Sequence, residues 1–270
     1  MERSLRIERL AGRAWRGVGE TRGRRAPRLS LRIVAVAFGL LVLIASCSDR
    51  ASPTEPSTAA GGTALPLQRS TDHFLLHYSE ATAGLVGAYA EALEGSWARI
   101  TTDLAASPGR IEGFLYPDQA SYTAATGYQA TGSVDGPNRF HLLAIPLVPS
   151  NAVHEFAHDA MLHLAPTIAN NPTWLWESVA IWESGQFVPP SSVPCLATGP
   201  FPTLAELNVR SGPCTIYQAG YVLAEFVIRR WGIDGLRRLV LANGDVSAAF
   251  GTPVGDFERD WRAFVVSRYL

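Results

Sequence analysis

The 270-residue chain contains no lysine, and its 23 basic residues are all arginine. We attribute this bias to genome composition and base no functional conclusion on it. Cysteine is also scarce: the chain has three, without neighbouring metal ligands, so a cysteine-based zinc site is not expected. No internal repeat, glycine-rich phosphate-binding loop or serine-nucleophile motif is present. Such features would have indicated a repeat protein, a nucleotide-binding protein or a serine hydrolase.

The apolar run near the N-terminus is short for a membrane-spanning helix. It covers residues 33–45, which is 13 residues, whereas a spanning helix needs about 20. Residues 1–32 before it carry ten arginines and three glutamates, a net charge of +7, and small residues follow it. A positive segment, a short apolar run and small residues are typical of a secretory signal.

The end of this run, Ile44-Ala45-Ser46-Cys47, resembles the bacterial lipobox, whose cysteine is lipidated and becomes the mature N-terminus. We therefore expect residues 1–47 to be a signal peptide with a lipobox. The resemblance implies an extracytoplasmic lipoprotein, anchored through Cys47 on the periplasmic or cell-surface side of a membrane. A conventionally cleaved signal and a simple membrane anchor are the alternatives. An arginine-rich arm could also bind nucleic acid, but the apolar run directly behind it argues against a nucleic-acid partner.

Residues 48–69 are rich in proline, glycine, serine and threonine, which predicts a flexible linker. The remaining residues, 70–270, are enough for one domain with a well-buried core. Alternating or apolar segments predict strands at 72–79, 110–116 and 139–145, with a loop at 127–138. Helical periodicity predicts helices at 84–104, 118–126, 149–164 and 216–231, the last ending at Gly232, and again towards residue 270. We expect an α+β domain, with a small N-terminal mixed sheet and helices followed by a mainly helical C-terminal half.

One expected helix carries the H-E-x-x-H pattern His154-Glu155-Phe156-Ala157-His158. Residues four apart stand one turn above each other on a helix, so both imidazoles point from one face and suit a tetrahedral zinc ion. Glu155 lies about 60° around the helix from His158, where it can hold a metal-activated water without ligating the metal. The alternative is a helix with two structural histidines and a surface glutamate. The same helix contains Asp159, which could orient a ligand or be an exposed helix carboxylate.

The segment Asn171-Pro172-Thr173-Trp174-Leu175-Trp176-Glu177 supplies a candidate third ligand. Asn171 is a good N-cap and Pro172 suits the first helical position, so a second helix is expected to begin here. Glu177 lies among bulky apolar residues. Because burying a lone carboxylate is costly, it needs a charged partner, and a zinc ion held by two neutral histidines would be that partner.

These motifs resemble the gluzincins, the zinc metallopeptidases that include thermolysin and the large zinc aminopeptidases. In the aminopeptidases eighteen residues separate the second histidine from the ligand glutamate, and eighteen residues lie between His158 and Glu177. Their signature W-L-x-E-G-x-A matches residues 174–180 except that Ser178 replaces glycine. The resemblance implies a zincin-like fold with a peptidase MA-like domain. It also implies that Zn2+ is bound by His154, His158 and Glu177.

The same resemblance implies the other catalytic parts. A Y-x-x-G sequence opens a late helix of the aminopeptidases, and its tyrosine supports the oxyanion. Here the pattern is Tyr217-Gln218-Ala219-Gly220. Tyr217 is therefore the candidate for this role, and Tyr221 is the alternative. A tyrosine that only packs in the core is the third interpretation.

In gluzincins the strand before the motif helix offers its backbone edge to the peptide. The strand at 139–145 could do so or be an ordinary sheet strand.

Cys195 and Cys214 are the two cysteines of the expected domain, and outside the cytoplasm they predict a disulfide.

The activity expected from all these features is hydrolysis of peptides or proteins by a zinc-activated water, with Glu155 as general base. Endopeptidase or oligopeptidase action is expected, because no acidic groups that would hold a substrate amine can be placed. The alternative is a non-catalytic, membrane-tethered module that binds zinc or peptide.

Overall fold

The computed structural model describes residues 65–146 and 148–270. The expected signal peptide 1–47, Cys47 and most of the expected linker lie outside the described residues. The last three linker residues, 67–69, belong to the first strand, so the ordered domain begins slightly earlier than residue 70. Among the described residues, no helix has both the length and the apolarity that crossing a membrane requires.

Five strands form one small sheet in the described part of the chain. They are β1 (Leu67–Ser70), β2 (Phe74–Tyr78), β3 (Ile111–Tyr116), β4 (Gly132–Val134) and β5 (Arg139–Leu143). Their spatial order is β1-β2-β3-β5-β4, with β2, β3 and β5 parallel and both outer strands antiparallel to their neighbours. The expectation of a small mixed sheet in the N-terminal half is confirmed.

The loop expected at 127–138 contains a strand, β4, that the sequence reading missed. This strand occupies one edge of the sheet and pairs with β5 from Gly132↔Leu142 to Val134↔Phe140. Because β5 lies between β3 and β4, the interpretation of 139–145 as an ordinary sheet strand is confirmed, and its interpretation as a free edge is wrong. The edge next to the motif helix belongs to β4.

Nine α-helices are present among the described residues. They are α1 (Val86–Asp103), α2 (Gln119–Thr126), α3 (Ser150–Leu164), α4 (Thr173–Ser184), α5 (Pro194–Ala197), α6 (Leu204–Leu207), α7 (Ile216–Leu241), α8 (Val246–Phe250) and α9 (Val254–Tyr269). No strand follows β5 in the described chain, so the C-terminal half is helical, as expected. The N-cap of α4 is Pro172, one residue later than predicted.

Helix α7 breaks at Gly232, the residue expected to end it. Gly232 has φ 71° and ψ 179°, and the helix resumes in a new direction and continues to Leu241. Glycine adopts a positive φ without the steric cost that a Cβ would bring, so the chain can change direction here. The predicted end is therefore a kink rather than a terminus.

Helix α3 lies at the centre of the domain, between the sheet side and the C-terminal helices. On the sheet side, Phe156 stacks on Trp97 of α1 at 5.2 Å and meets Phe74 of β2 edge-on. On its other side, α3 packs against α4, and α4 packs closely against α7. The close approach of α4 and α7 needs a small residue, because a Cβ on Gly220 would lie 3.2 Å from the Cα of Ser178. The direct packing of α3 against α4 sets the positions of these two helices relative to each other.

Candidate metal centre

The two histidines of the motif project from a stretch of α3 that is buried on all sides. Every residue from Asn151 to Leu162 is buried, as is typical of a helix packed between two layers. His154 and His158 lie one turn apart with ring centroids 4.7 Å apart. The alternative interpretation expected a surface glutamate at position 155, and this part of it is wrong because Glu155 is 1% exposed.

Glu177 on α4 meets both histidines in the interior. Its Oε2 lies 3.2 Å from Nε2 of His154 and 3.8 Å from Nε2 of His158. One ligand atom from each of the three residues lies within 4.8 Å of the others. The exposed fraction is 1% for His154 and 0% for the other two. Two imidazole nitrogens and one carboxylate oxygen at this separation could hold a metal ion.

The surroundings of His158 are suited to a histidine that binds a metal ion. Within the described residues, neither of its ring nitrogens has a hydrogen-bond partner, although buried polar groups are normally satisfied. The ring stacks on Trp176 with centroids 4.1 Å apart. Burial, with help from the positive charges of His154 and Arg210, holds the pKa of His158 well below its ordinary value. The imidazole is therefore neutral, which is the form that binds a metal.

His154 lies among polar side chains that influence its protonation. Burial disfavours its charged form, but hydrogen bonds to the Glu177 and Gln186 side chains and the nearby Glu155 carboxylate outweigh this and raise its pKa. Gln186 follows α4, and its amide nitrogen donates to Oδ1 of Asn151 at 3.2 Å. The Gln186 side chain is thus held by Asn151 close to the His154 imidazole, where it makes the smallest of the contributions that raise this pKa. Polar side chains placed beside a ligand in this way commonly help to orient it.

Glu155 is buried beside these residues and faces the edge strand. It is 1% exposed, and a Cβ built on Gly132 would lie 2.1 Å from its Oε1. Only glycine therefore leaves room for this carboxylate next to β4. The structure brings the expected base, the three expected ligands and the sheet edge to one place.

Tyr217 lies at the same site, whereas the alternative Tyr221 does not. The Tyr217 hydroxyl donates to Oε1 of Glu177 at 3.3 Å. Tyr221 packs against the rings of Trp182 and Phe187, at 4.9 and 5.0 Å. The structure thus supports Tyr217 over Tyr221 as a residue of the site, with a hydroxyl directed at a ligand oxygen.

Arg210 is a residue of the site that the sequence reading missed. Its Nη2 donates to Oε1 of Glu177 and to Oδ1 of Asn170, both at 2.9 Å. It lies between α6 and α7 in a short segment with no periodic pattern. The one signal for it in the sequence is that Glu177, among apolar residues, needs a cationic partner, and this signal does not distinguish an arginine from a metal ion.

Asp159 is buried, which contradicts the expectation of an exposed helix carboxylate. Its side chain is 0% exposed, and burial raises its pKa to about 7, with the nearby backbone N–H groups of Asn138 and Arg139 acting in the opposite direction. Asp159 therefore lies close to the turn between β4 and β5. His163 lies next to Asp159 and contacts Asn138 at 3.0 Å, so it is not part of the metal centre.

The structure joins Cys195 and Cys214 in a disulfide with Cα atoms 5.8 Å apart. The bond closes the segment that contains Arg210. It therefore restrains the loop from which that side chain reaches Glu177.

Comparison of the chain with protein families, with curated proteins and with solved structures gives no match.

Proposed function

We propose that this protein is a zinc-dependent peptidase of the gluzincin type, with a zincin-like arrangement of sheet and helices. The observation that carries the proposal is the convergence of His154, His158 and Glu177 within 4.8 Å, with Glu155 adjacent. Three protein ligands of this type leave a position for water, as in catalytic rather than structural zinc sites. Zinc, when bound, supplies a Lewis acid and lowers the pKa of its water.

The residues around the ligands have complementary roles in peptide hydrolysis. Glu155 accepts the proton of the attacking water and delivers it to the leaving amine. Peptide and water then yield one carboxylic acid and one amine. Tyr217, whose hydroxyl lies beside Glu177, supports the oxyanion of the tetrahedral intermediate. The short edge strand β4 next to Glu155 offers backbone groups to an extended peptide.

Metal content is the first test of this proposal. A chain beginning at Ser48 is expected to bind about one zinc ion, and Glu177→Ala is expected to lose it. A zinc-free wild-type protein, even after zinc is added back, would refute the metal site.

Hydrolysis of a peptide library is the second test. Glu155→Gln is expected to retain zinc and to lose turnover by about 100-fold or more, and full turnover in this variant would refute the mechanism.

The burial of the site favours a second candidate, a non-catalytic module that binds zinc. All three ligands and Glu155 are at most 1% exposed, so a substrate reaches them only if the covering segments move. The presence of Glu155 favours the peptidase, because a binding module needs no base. Zinc binding without hydrolysis of any library peptide would support the module instead.

We also propose, from the sequence alone, that the domain is held at a membrane through a lipid on Cys47. Mass spectrometry of the protein from a bacterial host is expected to show an N-terminal lipidated Cys47. Cleavage at another position would indicate a conventional secretory signal.

A further inference from the structure

The two carboxylate oxygens of Glu177 have different neighbours. Oε2 faces the histidines, 3.2 Å from Nε2 of His154 and 3.8 Å from Nε2 of His158. Oε1 faces away from them and accepts hydrogen bonds from Arg210 at 2.9 Å and Tyr217 at 3.3 Å. One oxygen is thus directed at the candidate metal position and the other at protein donors.

The Arg210 guanidinium and the segment that carries it are held in place by residues that are not part of the metal centre. Nη2 also donates to Oδ1 of Asn170, in the turn before α4. Its segment is fastened on both sides, by Asn208, whose side chain accepts from the Trp174 backbone at 3.2 Å, and by the disulfide at Cys214. A planar guanidinium restrained in this way fixes the carboxylate that it contacts more strictly than a flexible ammonium would.

We propose that Arg210 is a positioning residue that occupies Oε1 of Glu177, so that Glu177 offers the metal only Oε2. The inference rests on the proposed metal site and adds to it a residue that neither the H-E-x-x-H pattern nor the W-L-x-E segment contains. Hydrogen-bonded partners of ligating carboxylates commonly contribute 10-fold to 100-fold to metal affinity. Arg210 acts in the same way, because its hydrogen bond to Oε1 holds the Glu177 carboxylate in one orientation.

Positioning and simple electrostatics predict opposite results when Arg210 is removed. A guanidinium beside the site repels a divalent cation, so if its charge were its only effect, its loss would tighten metal binding. If it positions Glu177, its loss frees Oε1, allows the carboxylate to rotate and weakens binding. The sign of the change in affinity therefore distinguishes the two roles.

The experiment compares the full chain, purified in detergent, with Arg210→Gln and with Arg259→Gln as the matched control. Arg259 is exposed and pairs with Asp256 and Asp260 on α9. Zinc affinity is measured by competition with a chromophoric chelator. The visible absorption of bound Co2+, which responds to coordination number, reports whether one or both carboxylate oxygens bind. Thermal unfolding establishes that each variant is folded.

Arg210→Gln is expected to bind zinc about 10-fold to 100-fold more weakly and to change the Co2+ spectrum, while Arg259→Gln matches the wild type. If Arg210→Gln does not fold, Tyr217→Phe removes the other donor to Oε1 and is expected to change both readouts in the same direction. If Arg210→Gln binds zinc as tightly as the wild type or more tightly, this inference is overturned. The proposed metal site still stands in that case, provided that the wild type binds zinc and Glu177→Ala does not. A wild-type protein that binds no metal would overturn the inference and the proposed function together.

Discussion

The main chain of Gly132 in the edge strand lies directly against the carboxylate of Glu155. A Cβ at residue 132 would be 2.1 Å from Oε1 and 2.6 Å from Cδ of that side chain. Real Cβ atoms do not approach other atoms so closely, so any larger residue displaces the carboxylate. The position of the proposed base thus depends on a glycine of another element, 23 residues earlier in the chain.

Gly132→Ala is therefore expected to reduce peptide hydrolysis by about 100-fold, the contribution typical of a general base, with little loss of zinc. The physical reason is that the ligands lie on α3 and α4, whereas the three atoms nearest to the added methyl group all belong to Glu155. Turnover of a library-derived peptide and zinc content of the same sample are the measurements. Gly109→Ala is the control, because a Cβ there has no atom within 4 Å. Equal turnover in wild type and Gly132→Ala would contradict the prediction.

Gln186 is expected to support the metal through His154. Gln186→Leu removes the polar side chain that bonds to Asn151 and acts on the His154 imidazole, so zinc affinity should fall by about 10-fold or more. Chelator competition measures this change. Gln119→Leu, at an exposed position on α2, serves as the control. A zinc affinity unchanged by Gln186→Leu would show that the ring of His154 is held by packing alone.

Glu183 is expected to make stability depend on pH. Its side chain is fully buried beside Arg99. Burial raises its pKa to about 7, with Arg99 opposing the shift and Asp103 adding to it. Between about pH 4.5 and pH 7 the unfolded chain ionises this group first, so the folded chain holds more protons. The free energy of unfolding therefore falls as pH rises through this window, by up to about 3 kcal/mol.

Glu183→Gln removes this titration and is expected to flatten the profile relative to the wild type. Urea unfolding at pH 5 and pH 8 gives the comparison, and the difference between the two proteins isolates Glu183 from other titrating groups. Parallel profiles for the two proteins would show that the folded-state pKa of Glu183 is not raised.

The disulfide is expected to stabilise the fold through its loop length. Cys195 and Cys214 are 19 residues apart in sequence, and closing a loop of this size in the unfolded chain is worth about 3 kcal/mol in the chain-entropy model. Replacing both cysteines with serine should lower the midpoint of thermal unfolding by about 10 °C. Addition of a reductant to the wild type, but not to the double variant, should have a similar effect. A reductant that also lowers the midpoint of the double variant would assign the effect to something other than this bond.

The parts of the fold and site that were predictable are those with a local sequence pattern. Helix α3 follows from its apolar periodicity, and the pairing of His154 with His158 follows from a spacing of one helical turn. Glu177 was predictable because a carboxylate among bulky apolar residues needs a partner, and because its spacing from His158 resembles that of the zinc aminopeptidases. The sequence also indicates the break at Gly232, because the helical periodicity of residues 216–231 ends there.

The remaining parts depend on contacts between segments far apart in sequence. Strand β4 is three residues long, and its Gly-Ser-Val sequence has no alternation that marks a strand; it forms because β5 pairs with it. Asp159 is buried because the turn between β4 and β5 packs over it. Arg210 lies in an irregular segment, and its approach to Glu177 follows from the folding of α4 and α7 rather than from any nearby residue.

The depth of the three ligands also has a kinetic consequence. An ion held by side chains that are at most 1% exposed has no direct path to a competing ligand in solution. It leaves only during the brief intervals in which the surrounding chain opens. The rate of release would therefore rise with chelator concentration and then reach a plateau, and the plateau would equal the rate of that opening.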